Sequence, residues 1–196
     1  MTHLLASLRV ALATMAVCVA GYTAVILGFA QAVTPGTANG SLVTGADGAV
    51  IGSRLIAQPF ARPEYLWPRP SAVGYAADGA GGSNLSPANP EIAARAEAII
   101  AAHGGATVGD PIPADLVTAS GAGLDPHVSE EGALFQAPRV AEARGVPVEA
   151  VRAVIAAQAR DPGGPFTEGR IVNVLEANLA LDAELGAPLA AGPTGR

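Results

Sequence analysis

The longest apolar stretch of the chain lies near its N-terminus, where residues 10–30 contain no charged side chain. As a helix rising about 1.5 Å per residue, this stretch would be about 31 Å long. That length matches the hydrocarbon core of a bilayer, about 30 Å thick. The pattern predicts one transmembrane helix over residues 10–31. Arg9 precedes it and no charge follows before Asp47, so residues 1–9 are predicted to be cytoplasmic.

A cleaved signal peptide is the alternative interpretation of this segment. Ala30-Gln31-Ala32 fits a small-x-small cleavage site, and Arg9 would supply the basic n-region. The apolar run exceeds the usual signal core of about 7–15 residues, which favours an uncleaved anchor. Both interpretations export the rest of the chain. We therefore expect a linker over residues 32–40, an extracytoplasmic domain over 41–186 and a loose tail over 187–196.

In the exported part the apolar positions change spacing along the chain. Residues 41–43 and 50–51 flank an Asp-Gly pair and predict a β-hairpin. Residues 57–90 are rich in Pro, Gly, Ser and Asn, but Tyr65, Trp67 and Tyr75 within them favour an ordered loop, because buried aromatic rings hold a segment in place.

Helical spacing dominates after this loop. Asn89 is a suitable N-cap for a helix that ends at Gly104, and Ser129 suits one that begins at Glu130 and that Pro138 should kink or break. Further elements are predicted as follows: a short helix from Pro113 to Thr118, a helix over 146–160, a strand over 170–175 and a closing helix over 176–185. The predicted fold class is a single transmembrane helix followed by an α/β (α+β) domain.

Composition excludes several classes of function. All 11 basic residues are arginine, so there is no Walker A lysine and no Schiff-base lysine. The net charge is −6 without a basic patch, which argues against nucleic-acid binding. Cys18 is the single cysteine and lies in the apolar run, so neither an internal disulfide nor a cysteine zinc site is expected.

Residues 118–130, TASGAGLDPHVSE, are the most chemically suggestive stretch. A triad drawn from Ser120 or Ser129 with Asp125 and His127 is disfavoured, because triads usually combine separated segments. Asp125, His127 and Glu130 lack a second histidine at metal-ligand spacing. We therefore predict neither a catalytic residue nor a metal site here.

The favoured interpretation of this stretch is a structural corner. Gly121 and Gly123 would allow a sharp turn. Asp125 would accept the amide of His127 in an Asx-turn, and Ser129 would cap the next helix. His127 would then lie at the tip of the corner, where it could contact a partner.

Two other groups of residues could bind an anion. The sequence GAGGSN at 79–84 could offer backbone amides, although a flexible turn is the simpler interpretation. Arg139 and Arg144 could form an anion-binding pair, although we expect them to lie exposed on a helix.

Several uncommon strings occur in a fixed order along the chain. They are GSRLIAQPF (52–60), RPSAVGY (69–75), GGSNLSPANP (81–90), PADLVTASGAGLDPHVS (113–129), QAPRVAEARG (136–145) and VNVLEANLALD (172–182). Together they closely resemble the KdpC family, the C subunit of the Kdp-type potassium-transporting P-type ATPase, over residues 5–185. Ala80 and Ala122 stand where the family more often has serine.

The resemblance implies a non-catalytic accessory subunit in a bacterial inner (plasma) membrane complex. Its implied partners are the potassium-pore subunit KdpA, the P-type ATPase subunit KdpB and the small single-span subunit KdpF. The family is described as stabilising assembly and as a catalytic chaperone for the ATPase. The resemblance implies no firmly bound cofactor, and ATP only through the complex.

The same resemblance implies a nucleotide contact at Gln136 and at the loop formed by Gly81, Gly82, Ser83 and Asn84. The predicted topology places these residues outside the cytoplasm, where ATP is scarce. We therefore expect the exported domain, with Arg139 among its contact residues, to cap the outer mouth of the pore. The anchor should pack beside the pore subunit through small residues such as Gly21 and Gly28. The alternatives are an exported membrane-tethered hydrolase and a free periplasmic binding protein.

Overall fold

A computed structural model describes residues 2–45, 48–105, 107, 109–163 and 168–188. The chain divides into two compact units, Met1–Ile51 and Gly52–Arg196. The predicted combination of one N-terminal apolar helix with a mixed α/β domain is confirmed. The loose tail predicted over 187–196 lies outside the described residues from 189 onward.

The first unit is built around one apolar helical rod. It consists of α1 (Thr2–Met15), a π-helical segment (Ala16–Gly21) and α2 (Tyr22–Val33). Within it, the helix His3–Val33 contains an 18-residue window with a mean hydropathy of 2.2 and no buried part, so it is long and apolar enough to cross a membrane. The helix extends beyond the predicted 10–31 at both ends. A π-helical segment of this kind is rare and usually short.

The segment after the rod contains short elements of regular secondary structure. Helix α3 (Pro35–Ala38) forms one turn, and β1 (Leu42–Thr44) pairs with β2 (Val50–Ser53) in the predicted hairpin. The amides of Gln31 and Asn39 bond to each other in both directions, at 3.1 and 3.2 Å. These bonds hold the start of the segment against the last turn of α2.

Three helices form the core of the second unit. They are α6 (Glu130–Arg144), α7 (Val148–Gln158) and α8 (Val174–Leu185). Strand β3 (His127–Ser129) runs antiparallel to β4 (Ile171–Asn173), with Val128 opposite Val172. The fully buried side chains are mostly small or β-branched, which allows close helix packing: Ala133, Ala137, Val140, Val151, Val154, Ile155, Val172 and Leu181.

Local signals place the helix starts where the sequence predicts them. The Ser129 hydroxyl accepts the amide of Gly132 at 2.8 Å at the start of α6. Asn89 accepts the amide of Glu91 at 2.9 Å at the start of α4 (Pro90–Ala102). The short α5 (Ala114–Val117) follows the predicted Pro113. Each cap satisfies one of the unpaired amides of a first helical turn.

Two element boundaries differ from the sequence prediction. Helix α6 continues through Pro138 and is not broken there. Proline removes one bond, to the carbonyl four residues earlier, while buried Ala137 and Val140 hold the helix on both sides of it. The strand predicted over 170–175 stops at Asn173, whose side chain accepts the amide of Glu176 at 3.2 Å, and α8 begins two residues early, at Val174.

We expect Ser129→Ala to lower the free energy of unfolding by about 0.5–2 kcal/mol, because the Gly132 amide loses its cap. Thermal unfolding of the full chain in detergent measures this change. Ser86→Ala is the matched control, since Ser86 makes only a 3.4 Å bond in an exposed turn. Equal melting temperatures for the two variants would contradict the capping role.

Candidate functional site

The segment 62–70, which we call the strap, turns at residues 62–65 and then crosses the core without belonging to a helix or a strand. Its Leu66 side chain is fully buried. A buried backbone without strand neighbours must find hydrogen-bond partners elsewhere. In this protein they come from side chains of α6 and α8.

Two buried amide side chains take the place of a neighbouring strand. Asn178 accepts the Leu66 amide at 2.8 Å and donates to the Leu66 carbonyl at 3.0 Å. Gln136 accepts the Trp67 amide at 2.8 Å and donates to the Trp67 carbonyl at 3.2 Å. Both amides are almost inaccessible, at 1% for Gln136 and 2% for Asn178. Each therefore pairs both backbone groups of one strap residue.

Two arginines bind the carbonyls at the other end of the strap. Arg139 donates to the Pro63 carbonyl at 2.7 Å and to the Tyr65 carbonyl at 3.1 Å, and its guanidinium lies 3.8 Å from the Trp67 ring centre. Arg144 donates to the Glu64 carbonyl at 2.7 Å, and its side chain is 2% exposed. The prediction that both arginines lie exposed on a helix is therefore wrong.

The two arginines lie in different electrostatic surroundings. Burial lowers the pKa of Arg139 to about 10, so it stays protonated near neutral pH. Arg144 pairs with Asp182 at 2.8 Å. Tyr65 donates to the same carboxylate at 3.1 Å. The pKa of Tyr65 is raised mainly by burial and next by this hydrogen bond.

Gln136, the residue of the implied nucleotide contact, is fully engaged inside the domain. Besides its Trp67 bonds, its Oε1 accepts Arg139 at 2.7 Å and its Nε2 donates to the Gly132 carbonyl at 3.3 Å. A side-chain amide offers two donor hydrogens and two lone pairs, and all four are used. Direct contact with a nucleotide through this side chain would require breaking these bonds.

The loop Gly81–Asn84 packs against the corner through its backbone. The Gly81 amide donates to the Ala122 carbonyl at 2.8 Å. A Cβ atom on Gly82 would lie 2.8 Å from the Gly121 carbonyl oxygen, so only glycine fits there. Ser83 is half-buried and Asn84 is exposed with a φ of 50°. Glycine at 81–82 therefore serves close packing between two loops.

Within the corner, Gly121 and Gly123 were both predicted to allow a sharp turn, and Gly123 has this role. Its φ is +69°, and a Cβ atom there would lie 2.5 Å from Val73. Gly121 has no positive φ, and a Cβ atom on it would meet nothing within 4 Å. The expectation that Gly121 needs glycine's backbone freedom is wrong, because of these two glycines only Gly123 has a positive φ.

The Asx-turn predicted at Asp125 is present. Asp125 accepts the amide of His127 at 3.0 Å, and its other oxygen accepts Arg69 at 3.0 Å. Burial alone would raise the pKa of Asp125, but the bonds from His127 and Arg69 outweigh it and lower the pKa. Arg69 belongs to the strap, so this ion pair joins the strap to the corner.

His127 begins strand β3 and does not lie at the tip of the corner. Its Nδ1 is 3.4 Å from Asp125, and its Nε2 is 2.7 Å from an Arg160 nitrogen. Arginine can only donate, so Nε2 is the acceptor in this contact.

The serines of the corner are bonded elsewhere. Ser120 is 3% exposed and accepts the Gly123 amide at 3.1 Å, and Ser129 caps α6. Among the described residues, no group of three or more His, Cys, Asp or Glu side chains could hold a metal ion.

A cavity of about 310 Å³ lies between the strap and α4, and sequence reasoning missed it. His103 at the end of α4 packs 4.9 Å from Trp67 and 6.1 Å from Phe135, centre to centre. Burial, and next the Arg139 charge, lower the pKa of His103 to about 4. In the sequence, the aromatic residues of the proline-rich stretch 57–90 were the signal that could have indicated this cavity. The lining also includes Phe60, Pro68, Pro70, Tyr75, Ile99 and Leu116.

We expect Gln136→Ala to destabilise the full chain by about 2–4 kcal/mol, because the Trp67 amide becomes a buried donor without a partner. Denaturant unfolding measures the change. Asn178→Ala is the matched comparison on α8, and the double variant measures the coupling through the strap. A loss below about 0.5 kcal/mol, typical of a surface substitution, would contradict the bracing role.

We expect acid to destabilise the protein through His103. Its folded pKa of about 4 lies below the ordinary histidine value of 6.5, so the unfolded state binds more protons between these values. The His103 contribution to stability should fall as the pH drops from 6.5 towards about 4 and level off below that pH. After discounting for partial exposure, the loss is about 1–2 kcal/mol.

Melting temperatures at about pH 7 and about pH 5 measure this effect. His103→Phe keeps the ring contact with Trp67 and removes the titrating group, so it should reduce the pH dependence. An unchanged difference between the two pH values in this variant would assign the effect to other groups.

Comparison with known proteins agrees with the motif order described above. The family described as KdpC, K+-transporting ATPase, c chain, matches residues 4–183. The potassium-transporting ATPase KdpC subunit of Parvibaculum lavamentivorans is 55% identical over 93% of this chain and 97% of its own length. The KdpC subunits of Geobacter sulfurreducens and Caulobacter vibrioides are each 51% identical, over 82% and 83% of this chain and over 87% and 83% of their own lengths. The resemblance found in the sequence is confirmed, and the chain belongs to the KdpC family.

Proposed function

We propose that this chain stabilises a potassium-transporting complex from the outer side of the bacterial inner membrane, held there by its N-terminal helix. As a member of the KdpC family it is a non-catalytic accessory subunit of a K+-transporting ATPase. The comparisons give no support to the alternatives, an exported hydrolase and a free periplasmic binding protein.

The observation that carries the proposal is that the polar side chains of the domain are bonded to other parts of the same domain. Gln136, Arg139 and Arg144 bond to the strap, and Asp125 bonds to His127 and Arg69. Reactive sites need groups left free for a substrate, whereas these groups already have partners. Such bonding supports a rigid domain that acts by contact.

The anchor offers surface for contact with other membrane helices. Gly28 has nothing within 4 Å of where its Cβ would lie, and the nearest atom to a Cβ on Gly21 is 3.5 Å away. Small residues let membrane helices approach closely. We propose that this surface packs against the pore subunit, KdpA, within a complex that also holds KdpB and KdpF.

The proposed orientation follows from Arg9, which would keep the N-terminus in the cytoplasm. The domain would then cap the outer mouth of the pore. Its support of the ATPase subunit would be indirect, through the stability of one arrangement of the complex. The engagement of Gln136 inside the domain favours this indirect role over direct nucleotide contact.

We expect Gly21→Leu with Gly28→Leu to reduce co-purification of the pore subunit severalfold, because bulky side chains prevent close helix approach. Affinity purification of the tagged chain from membranes, with quantification of its partners, measures the effect. Val25→Leu is the control on the same helix, since it replaces one large aliphatic side chain with another.

Two further measurements separate assembly from insertion and orientation. The glycine variants should remain resistant to carbonate extraction, and protease added outside spheroplasts should digest the domain after residue 52. Full recovery of partners with both glycines replaced would move the interface to the exported domain. A protected domain would reverse the proposed orientation.

A further inference from the structure

Exposed apolar side chains outside the anchor are concentrated in one short segment. Leu42, Val50 and Ile51 of the hairpin are 55%, 57% and 38% exposed, and Leu55 just after it is 57% exposed. Among the described residues from 56 to 188, every large hydrophobic side chain is buried or half-buried. A folded domain rarely leaves its large aliphatic residues together in water unless something covers them.

The hairpin begins close to the end of the anchor. The paired amides of Gln31 and Asn39 hold the intervening segment against the last turn of α2. Leu42 follows Asn39 by three residues, which span at most about 10 Å of chain. Because the apolar run ends at Ala30, the hairpin starts at about the depth of the lipid headgroups, a layer of about 5–8 Å on each side of the hydrocarbon core.

The charge pattern of this segment suits a lipid surface. Between Arg9 and Arg54, Asp47 is the single charged residue of the sequence. Strands β1 and β2 therefore enter the interface without removing a charge from water, which would be costly. Water in the headgroup layer still reaches the open strand edges, which the hydrocarbon core would not tolerate.

We propose that the β1–β2 hairpin rests in the lipid–water interface, with Leu42 and Val50 among the upper acyl chains. The lipid of the surrounding bilayer is its partner. This inference depends on the proposed membrane anchoring by α1 and α2. A second attachment next to the anchor restricts rotation of the chain where it leaves the membrane.

The test uses the full chain in vesicles of phosphatidylethanolamine and phosphatidylglycerol. Cys18→Ser removes the native thiol, and Leu42→Cys or Val50→Cys introduces one site for a polarity-sensitive fluorophore. Ala98→Cys, on an exposed position of α4, is the matched control. Lipids carrying a nitroxide near the headgroup should quench the two hairpin labels severalfold more than the control label, and the hairpin emission should shift to the blue.

Quenching of both hairpin labels no greater than that of Ala98→Cys would overturn the proposal. The proposal would also be overturned if these labels were protected from aqueous iodide only in the presence of the partner subunits. A protein surface would then cover the hairpin. Carbonate extraction of the same samples tests the membrane anchoring separately from the placement of the hairpin. An extracted chain overturns the anchoring as well, whereas a retained chain with unquenched labels overturns the hairpin placement alone.

Discussion

The fold of the second unit depends on the hydrogen bonds between two buried amides and the strap. Leu66 and Trp67 pass through the core with no neighbouring strand, and the side chains of Asn178 and Gln136 satisfy both backbone groups of each. A buried amide or carbonyl without a partner costs about 1–3 kcal/mol. These bonds fix the strap to α6 and α8, and the Arg139 and Arg144 contacts with strap carbonyls follow from that position.

The strap also determines the position of the corner. Its Arg69 pairs with Asp125, and its Pro70 carbonyl accepts the Ser120 amide at 2.9 Å. The loop Gly81–Asn84 then fits against the corner because Gly82 and Gly123 leave no room for a side chain. The residues with the most suggestive chemistry are thus the structural links between segments distant in sequence, which suits a subunit that works by contact.

The first unit solves a different physical problem. Its helix is apolar all round and has no buried part, so its environment must come from outside the chain. The π-helical segment adds a local change in helix geometry beside Gly21. The Gln31–Asn39 pair stops the chain from extending freely where the helix ends. The hairpin that follows therefore begins at a defined short distance from the anchor.

The sequence by itself determined the features that depend on neighbours a few residues apart. The apolar span, the caps at Asn89 and Ser129 and the Asx-turn at Asp125 all arise from contacts within one turn of chain, so residue type and spacing suffice to predict them. The family resemblance likewise rests on local strings in a fixed order.

Only the tertiary structure decided the roles of the polar residues on the core helices. Gln136 lies 69 residues from Trp67, and Asn178 lies 112 residues from Leu66. Helical periodicity shows which face such residues share but not which distant carbonyl lies opposite, so Arg139 and Arg144 were expected in solvent. Tertiary structure also decided that α6 continues through Pro138, where packing outweighs the local preference against proline in a helix. It likewise decided that β4 ends at Asn173, where a side-chain cap outweighs the local preference for a strand.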